Sequence, residues 1–230
     1  MSPVKSQPSS YNAHVVPFFL FIGFLAVVQL VGMVGEGTGV PWLADPKYWI
    51  FPLQTAICAG ALVYFWRCYD FGKISWLVTV VAALLSLGIW ISPQWLFGAA
   101  PRTEGFNPSE VGDDPWLVGF TLAARFARLV IIVPLVEEIF WRGFLQRYLI
   151  NEKFTSVKFG TYSHLSFFGV AGAFMLVHSP SDWPAAFATG ILFGWVAVKT
   201  KSLLACVVAH AITNLGLGIY IVMTKQWGFW

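Results

Sequence analysis

Seven long apolar stretches alternate with short polar ones along the chain. Each stretch holds 16 to 21 residues, close to the ~20 residues that cross the ~30 Å hydrocarbon core of a bilayer as an α-helix. The pattern therefore predicts seven membrane-spanning helices. They cover residues 15–35, 48–66, 74–91, 116–133, 163–178, 183–200 and 203–223.

The fourth stretch does not end cleanly. After Pro134 the chain stays helix-like but carries charged residues. We expect residues 116–149 to form one long helix, or two pieces hinged at Pro134. A complete split there would raise the number of spans from seven to eight. Residues 1–14 are polar and are predicted to be a short disordered tail, and residues 15–230 show no repeat and form one transmembrane domain.

The composition supports a membrane protein. Hydrophobic residues make up 57% of the chain, charged residues only 11%, and the mean hydropathy is +0.70. A soluble domain has about 25% charged residues, so this chain cannot cover a globular surface with polar groups. A net charge of +3 is too small to indicate a nucleic-acid partner. The predicted fold class is all-α, a polytopic transmembrane helix bundle.

Lysine and arginine concentrate in alternate loops, those after the second, fourth and sixth stretches. Because cytoplasmic loops carry the excess of basic residues, this distribution predicts a cytoplasmic N-terminus. The compact chain and its short tail favour a bacterial inner membrane.

Several ionisable residues lie inside the apolar stretches. One such side chain near a helix centre costs roughly 2.5–3.5 kcal/mol even on the lenient insertion scale, so these residues indicate a buried polar site. They are Arg125, Arg128, Glu137, Glu138, Arg142, His178 and His210.

Helix geometry separates the two adjacent glutamates. Arg142 follows Glu138 by four residues and therefore shares its face, in the favourable order for an ion pair. Glu137 lies about 140° away from Arg142 around the helix. The spacing predicts an ion pair between Glu138 and Arg142. It leaves Glu137 without an obligatory partner, as a general base that works near neutral pH requires.

Two further pairs have i,i+4 spacing, Phe174 with His178 and His210 with Asn214. His178 is a candidate to help Glu137 polarise a water molecule, and His210 and Asn214 are candidate donors to an oxyanion. The same groups are also compatible with polar clamps that join helices without chemistry. Arg125 and Arg128, three residues apart on one face, are expected to be structural.

Three motifs, each within an apolar stretch and in this order, together resemble the CPBP family. This family contains the CAAX prenyl proteases, including the Ras-converting CAAX endopeptidases, and the bacteriocin-processing Abi proteins. The resemblance covers about residues 134–217, within a CPBP-like core at about 116–224. The motifs are Glu137-Glu138-x-x-x-Arg142, Phe174-x-x-x-His178 and His210-x-x-x-Asn214.

The resemblance implies an intramembrane endopeptidase that hydrolyses a peptide bond near the C-terminus of a prenylated or membrane-inserted protein. In that family, residues that match Glu137 and His178 activate water and those that match His210 and Asn214 form the oxyanion site. Residues that match Glu138 and Arg142 hold the pocket together. The expected partners are a protein or peptide substrate and membrane lipids, with no nucleic acid.

A metal-free glutamate mechanism is favoured, with no cofactor. The alternative is a zinc site with three ligands and an open position, formed by Glu137, His178 and His210, although the chain has no HExxH motif.

Two other functions are compatible with the same residues. A non-catalytic immunity or regulatory membrane protein would use the bundle to bind a peptide or a partner enzyme. A proton-coupled transporter would use Glu137 and His178 as a relay, but the chain lacks the repeated halves typical of transporters.

Overall fold

The computed structural model describes residues 9–230, and every regular element in that range is helical. Seven helices of 13 or more residues coincide with the seven predicted stretches, which confirms the all-α class. They are α1 (Ser10–Gly35), α2 (Lys47–Tyr64), α3 (Trp76–Phe97), α4 (Pro115–Tyr148), α5 (His164–Leu176), α6 (Trp183–Thr200) and α7 (Leu203–Thr224). Shorter pieces lie in the loops, a helical turn at Pro41–Ala44 and 3₁₀ turns at Trp66–Cys68, Pro108–Val111, Phe154–Ser156, Pro180–Asp182 and Trp227–Phe229.

Not every helix is a membrane span by length and composition. Four helices, α1, α3, α4 and α7, are long and apolar enough to cross a membrane. Helix α5 has 13 residues, about 20 Å of helix against a ~30 Å hydrocarbon core. Helices α2 and α6 have 18 residues each but fall short of that apolar character. The predicted number of seven or eight spans is therefore not confirmed, although the helices themselves are present.

Side-chain caps set several helix starts. The hydroxyl of Ser9 accepts a hydrogen bond from the backbone of Asn12, so α1 begins at Ser10, five residues earlier than the apolar pattern predicts. Residues 10–14 are thus helical and do not belong to a disordered tail, and residues 1–8 of that predicted tail lie outside the described residues. Ser163 and Ser202 cap α5 and α7 in the same way.

Helix α4 runs for 34 residues through Pro134 without a break. Its α-helical parts are separated by two π-helical segments, Arg128–Ile132 and Ile139–Leu145. The first segment lies directly before Pro134, where a proline cannot donate a backbone hydrogen bond. There the N–H of Val133 reaches the carbonyl of Arg128, five residues back. The widened turn absorbs the proline, so a split into two helices does not occur.

Helix α4 lies at the centre of the bundle, in contact with α1, α2, α5 and α7. Against α1, the rings of Phe18 and Phe140 stack with centroids 3.9 Å apart. Helix α5 packs closely on α6, because Gly190 brings its backbone against Ala171. Small residues permit this kind of approach between apolar helices. The arrangement surrounds the polar middle of α4 with protein.

Candidate active site

A cavity of about 320 Å³ lies beside the middle of α4. Its walls include residues from α1, α2, α4, α6 and α7 and from the chain that follows α5. The four side chains predicted to be catalytic all line it, namely Glu137, His178, His210 and Asn214. The tertiary structure therefore brings three separate sequence motifs to one cavity.

Glu137 presents a carboxylate to this cavity while being only 8% exposed. Its Oε2 atom is buried and accepts no hydrogen bond from the residues that the structure describes. The guanidinium of Arg128, also on α4, lies close enough to interact with it electrostatically. Glu137 is thus a buried carboxylate that lines the cavity and has one oxygen atom without a hydrogen-bond partner among the described residues.

Glu138, the next residue on α4, is fully buried. Its Oε1 atom accepts a hydrogen bond from Nη1 of Arg142 at 3.0 Å and another from Nδ1 of His210 at 2.9 Å. Arg142 also donates through Nη2 to the carbonyl of Gly190 at 3.2 Å. The ion pair lies where its spacing predicts it, and it joins α4 to both α6 and α7.

The contact between Glu138 and His210 defines the chemistry of that imidazole. A carboxylate only accepts, so Nδ1 of His210 carries the proton and donates it. In the neutral ring, Nε2 is then an acceptor. It becomes a donor to an oxyanion only when both ring nitrogens carry a proton, as in imidazolium. Sequence spacing carried no signal for this pair, because the two residues are 72 positions apart.

His178 follows the end of α5 and is held by its own helix. Its Nδ1 lies 2.7 Å from the carbonyl oxygen of Phe174, which again makes Nδ1 the donor. The ring packs against Phe174, with centroids 4.6 Å apart, and against Trp90 at 5.7 Å. These contacts leave the Nε2 lone pair of the neutral ring available to a molecule in the cavity.

Asn214 makes a contact that the sequence interpretation missed. Its Nδ2 donates to the backbone carbonyl of Leu129 at 2.9 Å. This carbonyl lacks a backbone donor because Val133 N–H bonds to Arg128 instead and because Pro134, five residues after Leu129, has no N–H. The second N–H of Asn214 and its Oδ1 remain available. In the sequence, Pro134 indicated such a contact, because a proline has no backbone N–H and leaves a carbonyl without its donor.

Gln54 on α2 is a further buried polar residue of the site that sequence reasoning missed. It donates through Nε2 to the carbonyl of Phe21 at 2.7 Å and accepts through Oε1 from Nε of Arg128 at 2.8 Å. It was detectable as a long polar side chain within an otherwise apolar stretch. Gln54 ties α1, α2 and α4 together beside the cavity.

One end of the cavity is closed by loops. The guanidinium of Arg102 forms an ion pair with Asp182, which precedes α6, and lies 4.4 Å from the ring centroid of Phe229. The N–H of Gly228 donates to the carbonyl of Arg102 at 2.9 Å. Asp182 and residues 228–230 line the cavity, so this cap separates it from one side of the bundle.

The described residues 9–230 contain no group of three or more His, Cys, Asp or Glu side chains arranged to hold a metal ion. Glu137, His178 and His210 share the cavity, but one nitrogen of His210 is occupied by Glu138. A carboxylate oxygen, two imidazole Nε2 atoms and an amide N–H are a set of groups suited to hydrolysis of a peptide bond.

Fold, hydropathy and site together define an integral membrane protein with a polar cavity inside a helix bundle. Residues 119–216 match the Rce1-like family, described as type II CAAX prenyl endopeptidases. The match covers less than half of the chain but contains all three motifs, and over this segment the chain is similar to that family. It confirms the resemblance drawn from the motifs, and the family implies CAAX-type intramembrane protease activity on a protein or peptide. Comparison with curated proteins and with solved structures gives no significant match.

Proposed function

We propose that this protein is an intramembrane endopeptidase in which Glu137 activates the attacking water. The observation that supports this most directly is the buried Oε2 of Glu137, which accepts no hydrogen bond within the described part of the chain. It borders a cavity that also contains His178, His210 and Asn214. Burial without a partner raises the free energy of a carboxylate, and a positioned water relieves that cost.

In the proposed reaction, Glu137 removes a proton from water while the water oxygen bonds to the scissile carbonyl carbon. His178 orients this water by accepting its second proton in a hydrogen bond through Nε2. When the C–N bond breaks, Glu137 returns its proton to the leaving amine. Proton transfers by a positioned group contribute about 10²–10⁴-fold to the rate.

The oxyanion of the tetrahedral intermediate is proposed to receive the second N–H of Asn214 and the Nε2–H of His210 in its imidazolium form. Glu138 stabilises that imidazolium as a carboxylate stabilises the histidine of a catalytic triad. Arg142 donates to the same carboxylate at 3.0 Å, which offsets part of the cost of burying this charge. Glu138 and Arg142 are thus positioning residues.

We propose a substrate that is cut near its C-terminus and is prenylated or inserted in the membrane. The apolar side chains of Phe21, Ile22 and Leu25 on α1 line the same cavity as Glu137, which favours an apolar substrate segment. The distribution of basic residues supports a cytoplasmic N-terminus. The compact chain and its short tail favour a bacterial inner membrane.

The test is peptide cleavage by the purified protein in liposomes, with prenylated and unprenylated peptides. We expect wild type to cut prenylated peptides and Glu137→Gln to lose at least about 100-fold in rate. Glu152→Gln, an exposed loop glutamate, is the matched control and should retain full activity. Cleavage should persist in a strong chelator.

Undiminished cleavage by Glu137→Gln would contradict the proposed mechanism. Loss of activity in chelator, with recovery on adding zinc, would instead place Glu137, His178 and His210 as ligands. Absence of cleavage by every version would favour a non-catalytic immunity or regulatory protein.

A further inference from the structure

Two buried arginines line the candidate active site and are not used by the proposed chemistry. Arg125 is 4% exposed and Arg128 is 6% exposed, and both border the cavity. Their guanidinium carbons lie 5.0 Å and 4.3 Å from the centroid of the same ring, that of Phe51. The two cations are therefore neighbours at one part of the cavity wall.

These arginines have few acceptors within the protein. Arg128 donates through Nε to Gln54, and no other acceptor for it is found in residues 9–230. The Nε and Nη1 atoms of Arg125 are buried and have no hydrogen-bond partner in the same range. Rings of Phe106 and Trp230 lie 4.8 Å and 5.2 Å from this guanidinium, contacts that compensate only partly for lost water.

Carboxylates balance this charge only in part, because Glu137 interacts electrostatically with Arg128 but forms no ion pair with it. Two acidic side chains, Glu137 and Asp182, line the cavity. Asp182 is paired with Arg102, and neither Arg125 nor Arg128 forms an ion pair within the described residues. A buried cation without a counter-ion is costly, by several kcal/mol per ion. The site is therefore complementary to an anion that enters the cavity.

We infer that Arg125 and Arg128 form an anion-binding subsite that receives the C-terminal carboxylate of the peptide substrate. The inference rests on the proposed function, since cleavage near a C-terminus brings that carboxylate close to the scissile bond. Guanidinium groups present a planar fork of N–H donors that matches a carboxylate in a bidentate manner. Arg125 lines the cavity and has two donors without a partner among the described residues.

The positions of Arg125 and Arg128 along α4 determine how far they lie from Glu137 along the helix axis. Arg128 and Arg125 precede Glu137 by 9 and 12 residues, or about 13 and 18 Å at ~1.5 Å of rise per residue. An extended peptide covers about 3.3–3.6 Å per residue. For an extended peptide, a carboxylate bound by the pair therefore lies at most about four to five residues beyond the bond attacked at Glu137.

The test compares binding of two peptides that differ in one group. A fluorescent prenylated peptide carries either a free C-terminal carboxylate or a C-terminal amide, and its affinity is measured with Glu137→Gln protein in nanodiscs, where no turnover is expected. We expect the carboxylate form to bind at least about tenfold more tightly, as a charge-assisted hydrogen bond provides. Arg125→Gln and Arg128→Gln, added to that protein, should remove the preference and leave the affinity for the amide unchanged.

The matched control is Arg67→Gln, an arginine exposed outside the cavity, which should retain the preference. Equal affinity for the two peptides in the Glu137→Gln protein would overturn the inference, and this comparison requires no arginine variant to fold. An equal loss of affinity for both peptides in properly folded arginine variants would also overturn the inference, because that pattern indicates a structural role for the arginines.

The outcome separates this inference from the proposed function. A preference for the carboxylate form, without any cleavage by wild type, would support the anion-binding subsite and contradict the proposed protease function. Cleavage that depends on Glu137, together with equal affinity for the two peptides, would support the protease function and contradict the anion-binding subsite.

Discussion

The amide of Asn214 on α7 donates to the backbone carbonyl of Leu129 on α4 at 2.9 Å. The π-helical segment before Pro134 leaves this carbonyl without a backbone donor, and a buried carbonyl must be satisfied by some group. A side chain on a neighbouring helix fills that role. The contact fixes α7 against α4 and, with it, the position of His210 one turn earlier on α7.

Removal of this contact should destabilise the protein measurably. We expect Asn214→Ala to lower the free energy of unfolding by about 1–3 kcal/mol, because the Leu129 carbonyl is left unsatisfied. Asn12→Ala, at an exposed position of α1, is the control and should be near neutral. Thermal unfolding in detergent provides the measurement, and equal melting temperatures for the two variants would contradict the prediction.

The same contact predicts a rescue by a second substitution. Pro134→Ala supplies a backbone N–H five residues after Leu129, the donor that a π-helical turn uses. The double variant Asn214→Ala/Pro134→Ala should therefore be more stable than Asn214→Ala alone. If the losses of stability from the two substitutions are additive, the carbonyl of Leu129 does not accept a hydrogen bond from the new N–H.

Removing one partner of the buried ion pair of Glu138 with Arg142 should lower the free energy of unfolding more than removing both partners. Glu138→Leu leaves Arg142 buried and without its carboxylate partner. We expect this variant to lose about 3–5 kcal/mol of the free energy of unfolding. The double variant Glu138→Leu/Arg142→Leu removes both charges and should lose less than the single variant. Chemical denaturation in detergent measures both, and a double variant that is the less stable of the two would argue against this account.

Histidine tautomers offer a spectroscopic prediction. Nδ1 of His178 and of His210 donates to an oxygen atom, so in neutral rings Nδ1 should be protonated and Nε2 bare. Nitrogen-15 chemical shifts of labelled protein report this directly. His164, exposed at the start of α5, contacts through Nδ1 the hydroxyl of Tyr162 at 2.9 Å, a group that both donates and accepts, so its shifts should average over both tautomers. A protonated Nε2 on neutral His210 would overturn the assignment.

Close packing of α5 on α6 can be tested at a glycine. A methyl group added at Gly190 would lie 3.0 Å from the Cα of Ala171, so Gly190→Ala should destabilise by about 1–3 kcal/mol. It should also move the carbonyl that accepts from Arg142. Gly88→Ala is the matched control, because nothing lies within 4 Å of its added carbon, and a helical alanine there should gain about 0.5–1 kcal/mol. Melting temperatures that shift alike for both would contradict the prediction.

Much of the fold was predictable because apolar stretches and helix length obey local rules. The seven helices match the seven predicted stretches, and the ion pair of Glu138 with Arg142 follows from a spacing of four residues on one helix. The start of α1 and the number of spans were less well predicted. A capping serine extends a helix into polar sequence, and hydropathy alone does not say whether a 13-residue helix crosses a bilayer.

The sequence by itself determined the helices, the similarity of residues 119–216 to the Rce1-like family and the residue types available for chemistry, because these depend on neighbours along the chain. Only the tertiary structure decided which groups meet: His210 with Glu138 across 72 positions, Asn214 with Leu129, and Arg125 with the cavity. Those contacts depend on how each helix is rotated and shifted against the next. In this bundle, π-helical turns in α4 set that rotation, and periodicity in the sequence does not encode it.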